Sequence, residues 1–446
     1  MKEKIKKIWK QMEKIEMQYM KSILFNLKAG CIWMIRGCII GFVVGGFSSL
    51  FALGLEKVTE CRNMHPALIW FLPFGGIVIV FLYRLCGVRK DRGTNILLTA
   101  VHESQKDVPV YMAPLIFVAT LLTHLFGGSA GREGAALQMG GSLGNTIGRI
   151  LNLEEGDRKI LVMSGMSAAF SAVFGTPLAA AVFPMEMISV GIMHYAALLP
   201  CVFSSIVASQ FAAGMGIHPE SFHISEIPAL APASFGKIVI LGILCGAVSV
   251  MFCICLKIAG SLYNKYIKNL YGKVAIGGCL VIILTLLVGN FDYNGAGMEL
   301  IERAIHQGEV PVFAFLLKML FTAVTLAAGF KGGEIVPAFC VGASFGCLYG
   351  NVMGISPPLC AALGMAAVFC GVTNSPMTSM LIGFELFGFS GVKYLLLVVS
   401  LSYLFSGYRG LYHEQIIVYS KYHPRYINRL SGSEGETFDG ADYEEK

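Results

Sequence analysis

The sequence predicts an all-α membrane protein made of two related halves, and three observations lead to this: its composition, its apolar segments and an internal repeat. Hydrophobic residues make up 55% of the 446 residues and charged residues only 14%, whereas a soluble globular protein carries roughly 25% charged residues. The mean hydropathy is +0.67. Because a bilayer offers the backbone no hydrogen-bond partners, apolar segments of helical length indicate membrane helices.

The apolar segments differ in length along the chain. Several are shorter than the roughly 20 residues that a complete crossing needs. Tilted or broken helices that lie inside protein account for such short segments. The candidate membrane segments are residues 31–55, 66–88, 110–126, 158–185, 194–213, 235–260, 273–290, 311–329, 336–350, 358–370 and 394–407.

The two ends of the chain are polar. Residues 1–28 are rich in lysine, and apolar residues such as Ile5, Trp9 and Met12 recur among them at helical spacing. This pattern predicts a cytoplasmic amphipathic helix at the membrane interface, and no nucleic-acid partner is expected. Residues 423–446 are predicted to be a short polar tail without a regulatory domain. The thirteen cysteines lack the spacing of a metal site, so no metal or organic cofactor is expected.

An internal repeat divides the membrane part into repeat 1, residues 29–220, and repeat 2, residues 221–422. Glycine- and proline-interrupted repeats are typical of transporters whose site lies between the halves near the membrane midplane. The match itself leaves open whether the repeats are parallel or inverted. A shift of 202 residues places Gly131, Ala136, Gly140, Ser142 and Gly144 on Gly333, Ala338, Gly342, Ser344 and Gly346, and a shift of 199 places Gly165, Met166, Ala168, Phe170, Val173, Pro177 and Glu186 on Gly364, Met365, Ala367, Phe369, Val372, Pro376 and Glu385.

A charged pair, Arg132 and Glu133, lies in a glycine-rich stretch that follows an uncharged apolar segment. Ionisable residues at membrane depth mark a transport pathway by default. The glycines, among them Gly131 and Gly134, leave backbone N–H groups uncovered at the start of a helix, which is a favourable place for an anion. The stretch therefore predicts an anion site at Gly131, Arg132 and Gly134 that the carboxylate of Glu133 can share.

Three motifs together resemble the CLC family of anion channels and anion/proton antiporters. They are the stretch 131–134 with the sequence Gly-Arg-Glu-Gly, the stretch 332–337 with the sequence Gly-Gly-Glu-Ile-Val-Pro, and Tyr412 shortly after Gly410. The resemblance covers roughly residues 30–422. It implies an inverted repeat of short tilted and broken helices, a homodimer with one pore per subunit, and a multi-pass protein of the cell membrane.

The resemblance also implies roles for single residues. Glu133 matches the gating glutamate, which occupies an anion site when ionised and leaves with a proton when protonated. Thr94 matches the inner anion ligand, and its hydroxyl can donate a hydrogen bond; a helix N-cap is the alternative, and Asn95 is a weaker ligand candidate. Tyr412 matches the tyrosine whose O–H donates to the central anion, with a place in the interfacial aromatic belt as the alternative.

Glu334 distinguishes two branches of that family. Ordinary chloride-handling members have no carboxylate there, whereas the fluoride/proton antiporter branch has a glutamate. That branch also lacks the usual proline at the position of Ala135, although Thr94 departs from its pattern. The resemblance implies that Ile335 and Val336, which follow Glu334, contribute to the anion site. The alternative for Glu334 is a structural pair with Lys331 at the helix start.

Two further residues, Glu186 and Ser129, match known motifs only in part and are not assigned the function of those motifs. Aligned on Pro177, the family's inner proton-relay glutamate falls on Met187, one residue after Glu186. Because one residue rotates a side chain by about 100° on a helix, Glu186 is not assigned that relay. Its repeat mate Glu385 suggests a shared structural role for the two glutamates near the subunit interface. Ser129 lies in a Gly-x-Ser-x-Gly pattern of hydrolases, but no acid residue is placed to complete a triad.

The function predicted from these residues is fluoride export in exchange for protons. Glu133 and Glu334 couple the two ions, and neither is a catalytic residue of an enzyme. A chloride/proton exchanger or chloride channel of the same fold is the first alternative, and a membrane-embedded hydrolase is the remote one. The expected partners are fluoride or chloride, protons, the lipid bilayer and a second copy of the chain.

Overall fold

The structure is a computed structural model, and it describes residues 2–88, 92–102, 108–224, 227–228 and 231–432. Within these ranges the chain forms sixteen α-helices and one small sheet, so the predicted helical class is confirmed. The helices are α1 (Lys2–Met64), α2 (Leu72–Leu85), α3 (Asn95–His102), α4 (Met112–Leu125), α5 (Glu133–Ile150), α6 (Glu155–Phe174), α7 (Pro177–Met187), α8 (Leu198–Gly214), α9 (Pro232–Tyr266), α10 (Leu270–Val288), α11 (Met298–Glu302), α12 (Ala314–Ala328), α13 (Ile335–Met353), α14 (Pro357–Thr373), α15 (Pro376–Phe387) and α16 (Val392–Phe405).

The helices differ in whether they can cross a bilayer. In the described part of the chain, six helical segments are long and apolar enough to do so. Other apolar helices, such as α7 and α15, are too short, as predicted for broken helices. Helix α1 has 63 residues and runs without interruption from the lysine-rich segment into the first membrane span. The interfacial position of residues 1–28 stays a prediction.

Glycines bring two neighbouring helices into close contact in the same way in each repeat. A Cβ atom added to Gly140 on α5 would lie 2.2 Å from the carbonyl oxygen of Gly165 on α6, and one added to Gly342 on α13 would lie 2.3 Å from that of Gly364 on α14. Such distances leave no room for a side chain. The same repeated spacing that was visible in the sequence therefore fixes two equivalent helix pairs, α5 with α6 and α13 with α14.

An aromatic cluster joins the two repeats in the core. The ring of Phe174 on α6 stacks on Phe339 on α13 with centroids 5.4 Å apart. Phe183 on α7 contacts Phe369 on α14 at 5.6 Å, and Phe369 contacts Phe339 at 4.9 Å. All four side chains are buried. Their burial stabilises the junction through the hydrophobic effect.

A three-stranded sheet that joins the middle of the chain to its end was not predicted. Strand β1 (Ser189–Val190) follows α7, and strands β2 (Ile416–Tyr419) and β3 (Tyr426–Leu430) follow α16. β1 pairs with β2 in parallel, and β2 pairs with β3 in antiparallel orientation. Residues 426–430 of the predicted polar tail are thus part of a sheet. The sheet fixes the segment that carries Tyr412 against repeat 1.

Candidate anion site

Gly131 and Gly333 join the starts of two helices. The N–H group of Gly131 donates to the carbonyl oxygen of Gly333 at 2.7 Å, and the N–H group of Gly333 donates to that of Gly131 at 2.8 Å. Helices α5 and α13 each begin two residues later. The first N–H groups of a helix have no partner within it and carry partial positive charge. Two such helix starts therefore converge at one place, which suits an anion.

Only glycine fits at these positions. A Cβ atom on Gly333 would lie 2.5 Å from the backbone nitrogen of Gly134, and one on Gly134 would lie 2.8 Å from the Cα atom of Gly333. At Gly131 a Cβ atom would lie 2.9 Å from Cδ of Pro337. The predicted anion-site residues Gly131 and Gly134 thus let two backbones approach each other without side chains between them.

Glu133 is the first residue of α5 and is completely buried. Its Oε1 atom accepts a hydrogen bond from Nε of Arg132 at 3.2 Å, and its Oε2 atom accepts one from the backbone N–H of Arg132, also at 3.2 Å. Two residues that are adjacent in sequence therefore form an ion pair. Arg132 precedes the helix, so its side chain is free to turn back onto the carboxylate.

Glu220 is a functional candidate that the sequence did not reveal. Nη2 of Arg132 donates to Oε1 of Glu220 in a close ion pair. Glu220 lies in the segment between α8 and α9 and is partly buried, and its Oε2 atom has no hydrogen-bond partner among the described residues. Arg132 is therefore shared by two carboxylates. No motif surrounds Glu220, and 88 positions separate it from Arg132, so only the fold could connect them.

Thr94 and Glu334 approach the start of α5 together. A Cβ atom on Gly134 would lie 3.4 Å from Oε2 of Glu334 and 3.7 Å from Oγ1 of Thr94. Thr94 is buried in front of α3, and Glu334 is the partly buried residue in front of α13. The structure thus brings together a hydroxyl, a carboxylate and a helix start that the sequence placed in three separate motifs.

Gln138 also contacts this group, and sequence reasoning did not select it. Its Nε2 atom donates to Oγ1 of Thr94 at 3.3 Å. The side chain is buried, and its Oε1 atom has no hydrogen-bond partner within the described ranges. The only signal in the sequence was a single amide five positions after Glu133, in a helix start that otherwise consists of small and apolar residues.

Tyr412 lies in the turn between α16 and β2, and Asn95 fixes that turn. Oδ1 of Asn95 accepts a hydrogen bond from the backbone N–H of Glu414 at 3.1 Å. Its amide oxygen is therefore engaged in positioning the turn. The Tyr412 side chain is only 2% exposed, and its hydroxyl has no hydrogen-bond partner in the described part of the chain. Buried hydroxyls nearly always have a partner, so this one is suited to a small polar ligand.

Ile335 and Val336 form the first turn of α13, and both are completely buried. Their apolar side chains belong to the core, so only their backbone N–H groups can serve an anion. The hydroxyl of Thr94 lies near the start of α5 together with Glu334, whereas the place of Tyr412 in this anion site stays a prediction. The carboxylates of Glu133 and Glu334 add two groups that can carry protons.

A protein-family model described as voltage gated chloride channel matches residues 74–407. The chain belongs to this family, the CLC family. A chloride/fluoride channel protein of Pseudomonas syringae pv. tomato is 34% identical over 397 residues, which cover 88% of each protein. The crystal structure of a CLC-type fluoride/proton antiporter is similar with a TM-score of 0.84 and 32% identity over 88% of this chain and 98% of that chain. A slow cyanobacterial Cl⁻/H⁺ antiporter shares the fold, with a TM-score of 0.72 and 19% identity over 84% and 94%.

The family membership confirms the predicted class of protein. The chain is a CLC-family membrane protein, a multi-pass protein of the cell membrane and not an enzyme. The hydrolase alternative is wrong, and the contacts of Ser129 agree with this. Its Oγ atom is buried between Nζ of Lys318 at 3.0 Å and Oγ1 of Thr322 at 3.1 Å. His124, which lies five residues before Ser129 in sequence, has its Nε2 atom at 3.4 Å from the carbonyl oxygen of Gly131.

Proposed function

We propose that this CLC protein exports fluoride in exchange for protons that enter the cell down their gradient. The observation that carries the proposal is the position of Glu334, whose carboxylate lies beside Gly134 at the start of the helix that Glu133 begins. Two protonatable groups then flank one anion site. The likeness to a CLC-type fluoride/proton antiporter of 32% identity supports the same activity.

Glu133 acts as the gate in this proposal. When ionised, its carboxylate is held at the start of α5 by Arg132 and by the positive end of the helix. When it takes up a proton it loses most of this attraction and can move away. The anion then occupies the vacated place. Because one place serves either the carboxylate or the anion, proton uptake and anion movement are coupled.

Fluoride fits the donors that surround the site. It is a small and strongly hydrated anion, so it binds only where several close donors replace its water. The hydroxyls of Thr94 and Tyr412 and the N–H groups at the start of α13 are such donors. A protonated Glu334 adds an O–H donor, and hydrogen bonds to a charged partner are the strong ones. A site narrow enough for fluoride excludes the larger chloride ion.

The remaining partners follow from the family. We infer a homodimer in the lipid bilayer with one pore in each subunit.

Chloride/proton exchange, or a chloride channel, is the second candidate function. The hydroxyl of Thr94 favours it, because chloride-handling members carry a hydroxyl at that position. Glu334 is the residue that this second candidate leaves without a role.

The deciding experiment measures efflux from liposomes that contain the purified protein, with fluoride and chloride electrodes and a pH probe in the same sample. The proposal expects fluoride efflux, opposing proton movement and little chloride efflux. Chloride efflux as fast as fluoride efflux would support the second candidate.

The variant Glu133→Gln is expected to abolish proton movement, with the exposed Glu56→Gln as its control. Unchanged fluxes of both ions in Glu133→Gln would contradict the gate.

Glu334→Gln separates coupling from structure. The proposal expects a folded protein whose fluoride flux has lost its link to protons. A structural role predicts the opposite pattern, in which the variant folds poorly while the folded fraction still exchanges fluoride for protons. Size-exclusion chromatography measures the folded fraction, and the same liposome assay measures the coupling.

A further inference from the structure

Gln138 is a buried amide whose two ends have different surroundings. Its Nε2 atom donates to the hydroxyl of Thr94 at 3.3 Å, while its Oε1 atom has no partner among the residues that the structure describes. The side chain is 4% exposed. A buried amide oxygen without a hydrogen bond costs stability. Helix stability alone therefore gives no reason for a glutamine at this position.

Another glutamine of the same protein shows the structural pattern. Gln415 is completely buried, and its Oε1 atom accepts from Asn374 at 2.9 Å. Its Nε2 atom donates to the carbonyl oxygens of Met187 at 2.8 Å and Thr373 at 3.0 Å. Both ends are satisfied by protein. Gln138 differs, because only the end that faces Thr94 is satisfied.

The orientation of this amide decides what the hydroxyl of Thr94 can offer. A hydroxyl has one proton to donate and two lone pairs that accept. With Nε2 of Gln138 on one lone pair, the proton of Thr94 points elsewhere and can be donated to an anion. With the amide reversed, the hydroxyl would donate to Oε1 of Gln138 and present lone pairs, which repel an anion. The observed contact is the first arrangement.

We propose that Gln138 is a positioning residue that keeps Thr94 a hydrogen-bond donor to the transported anion. It does not touch the anion itself in this proposal, and it acts only through the hydroxyl of Thr94. The inference rests on the proposed anion site at Thr94, but not on which halide occupies it. Its consequence is that anion affinity depends on a residue located more than one helical turn inside α5.

A double-mutant cycle tests this coupling. Gln138→Met keeps the length of the side chain and removes its donor, and Thr94→Val removes the hydroxyl. Affinity for sodium fluoride and for sodium chloride is measured by isothermal titration calorimetry on the purified protein. Thr94→Val loses a hydrogen bond to a charged group and is expected to bind about tenfold more weakly. Gln138→Met keeps that hydroxyl but no longer holds its proton toward the anion, so its affinity is expected to fall by a smaller factor. The double variant is expected to bind no more weakly than Thr94→Val, since interacting residues are not additive.

A matched control comes from the same helix. Asn145 on α5 is buried, and its Nδ2 atom donates to the carbonyl oxygen of Val108 at 3.0 Å. Asn145→Leu is expected to lower the melting temperature without changing anion affinity. If Gln138→Met does not fold, Gln138→Glu takes its place, because an ionised carboxylate only accepts and would draw the Thr94 proton away from the anion.

The outcomes separate the inference from the proposed function. Additive losses in the double variant, or unchanged affinity in Gln138→Met, would overturn the role of Gln138. Unchanged affinity in Thr94→Val would overturn it as well, because the hydroxyl would then not be a ligand. If the wild-type protein binds and transports chloride but not fluoride, the proposed fluoride export fails, and the same cycle with chloride still decides whether Gln138 acts through Thr94.

Discussion

Glu186 on α7 and Glu385 on α15 each bind the N-terminus of the helix that carries the other. The carboxylate of Glu186 accepts hydrogen bonds from the N–H groups of Met377 and Thr378 at 2.9 and 2.8 Å and from the Thr378 hydroxyl at 2.6 Å. The carboxylate of Glu385 accepts the N–H groups of Leu178 and Ala179 at 2.8 and 2.9 Å. The two short helices are therefore locked together by a reciprocal pair of caps, which agrees with the structural role predicted for both glutamates.

Removing either cap is expected to destabilise the protein. Glu186→Gln and Glu385→Gln each replace a charged acceptor at a helix N-terminus, where loss of a cap costs about 1–2 kcal/mol. The measurement is the melting temperature of each purified variant, and the exposed Glu60→Gln is the control. Anion/proton coupling in the folded fraction should be retained. A variant that melts like the wild type but loses coupling would instead place Glu186 in the proton pathway.

The glycine contacts lead to a second stability prediction. Gly140→Val would force a side chain into the 2.2 Å gap to the carbonyl oxygen of Gly165, and its repeat partner Gly342→Val would do the same against Gly364. Overpacking of this kind costs about 1–3 kcal/mol or more. The control is Gly156→Ala on α6, where an added Cβ atom meets nothing within 4 Å. Thermal unfolding checks both repeats, and a tolerated Gly140→Val would show that α5 and α6 can separate.

The repeat explains why part of the structure could be predicted. Gly131 and Gly333 coincide when the halves are superposed in sequence, and the structure joins them by two hydrogen bonds. Glycines at helical spacing mark close contacts whatever the rest of the fold is. The helix starts that carry Glu133 and Glu334 were predictable for the same reason.

Other parts of the site and of the fold are not marked by any pattern in the neighbouring sequence. The shift that aligns the repeats places Gln138 on Cys340, so no symmetry marks it. Glu220 lies in a connecting segment, and its contact with Arg132 exists only once the chain has folded. The pairing of β1 with β2 joins a segment of repeat 1 to the end of repeat 2. Contacts between distant loops depend on the whole topology, and no pattern along the chain encodes them.

Arg132 binds the carboxylates of both Glu133 and Glu220, and this predicts that a substitution at Glu220 shifts the pH dependence of transport. Glu220→Gln removes one of the two carboxylates that Arg132 binds. The full positive charge of Arg132 then favours the ionised form of Glu133, so more acid is needed to protonate the gate. The pH at which fluoride efflux is half-maximal is expected to move downward.

Liposome efflux between about pH 5 and 8, the range that brackets physiological pH, measures that profile, and the exposed Glu302→Gln serves as its control. An upward shift in Glu220→Gln would contradict the competition of Glu220 and Glu133 for Arg132, because loss of a neighbouring negative charge cannot make Glu133 easier to protonate. An unchanged profile would mean that Arg132 does not transmit charge between Glu220 and Glu133.

The hydroxyl of Tyr412 allows a test in which ligand and structural roles have opposite signatures. Because it has no hydrogen-bond partner in the described ranges, Tyr412→Phe removes no protein contact, and the melting temperature should stay the same or rise. If the hydroxyl donates to the anion, affinity for fluoride should fall about tenfold. Tyr394→Phe is the matched control, since its hydroxyl donates to the carbonyl oxygen of Pro228 at 2.8 Å.

That control is expected to lose about 1 kcal/mol of stability with unchanged anion affinity. The two variants are therefore expected to give opposite results: Tyr412→Phe loses anion affinity in calorimetry and keeps its melting temperature, whereas Tyr394→Phe keeps its anion affinity and melts at a lower temperature. A Tyr412→Phe variant that melts at a lower temperature but binds fluoride as the wild type does would assign the Tyr412 hydroxyl to the fold. The anion would then be bound by Thr94 and the helix starts alone, and Thr94→Val should be the single substitution of a side-chain donor that weakens fluoride binding most.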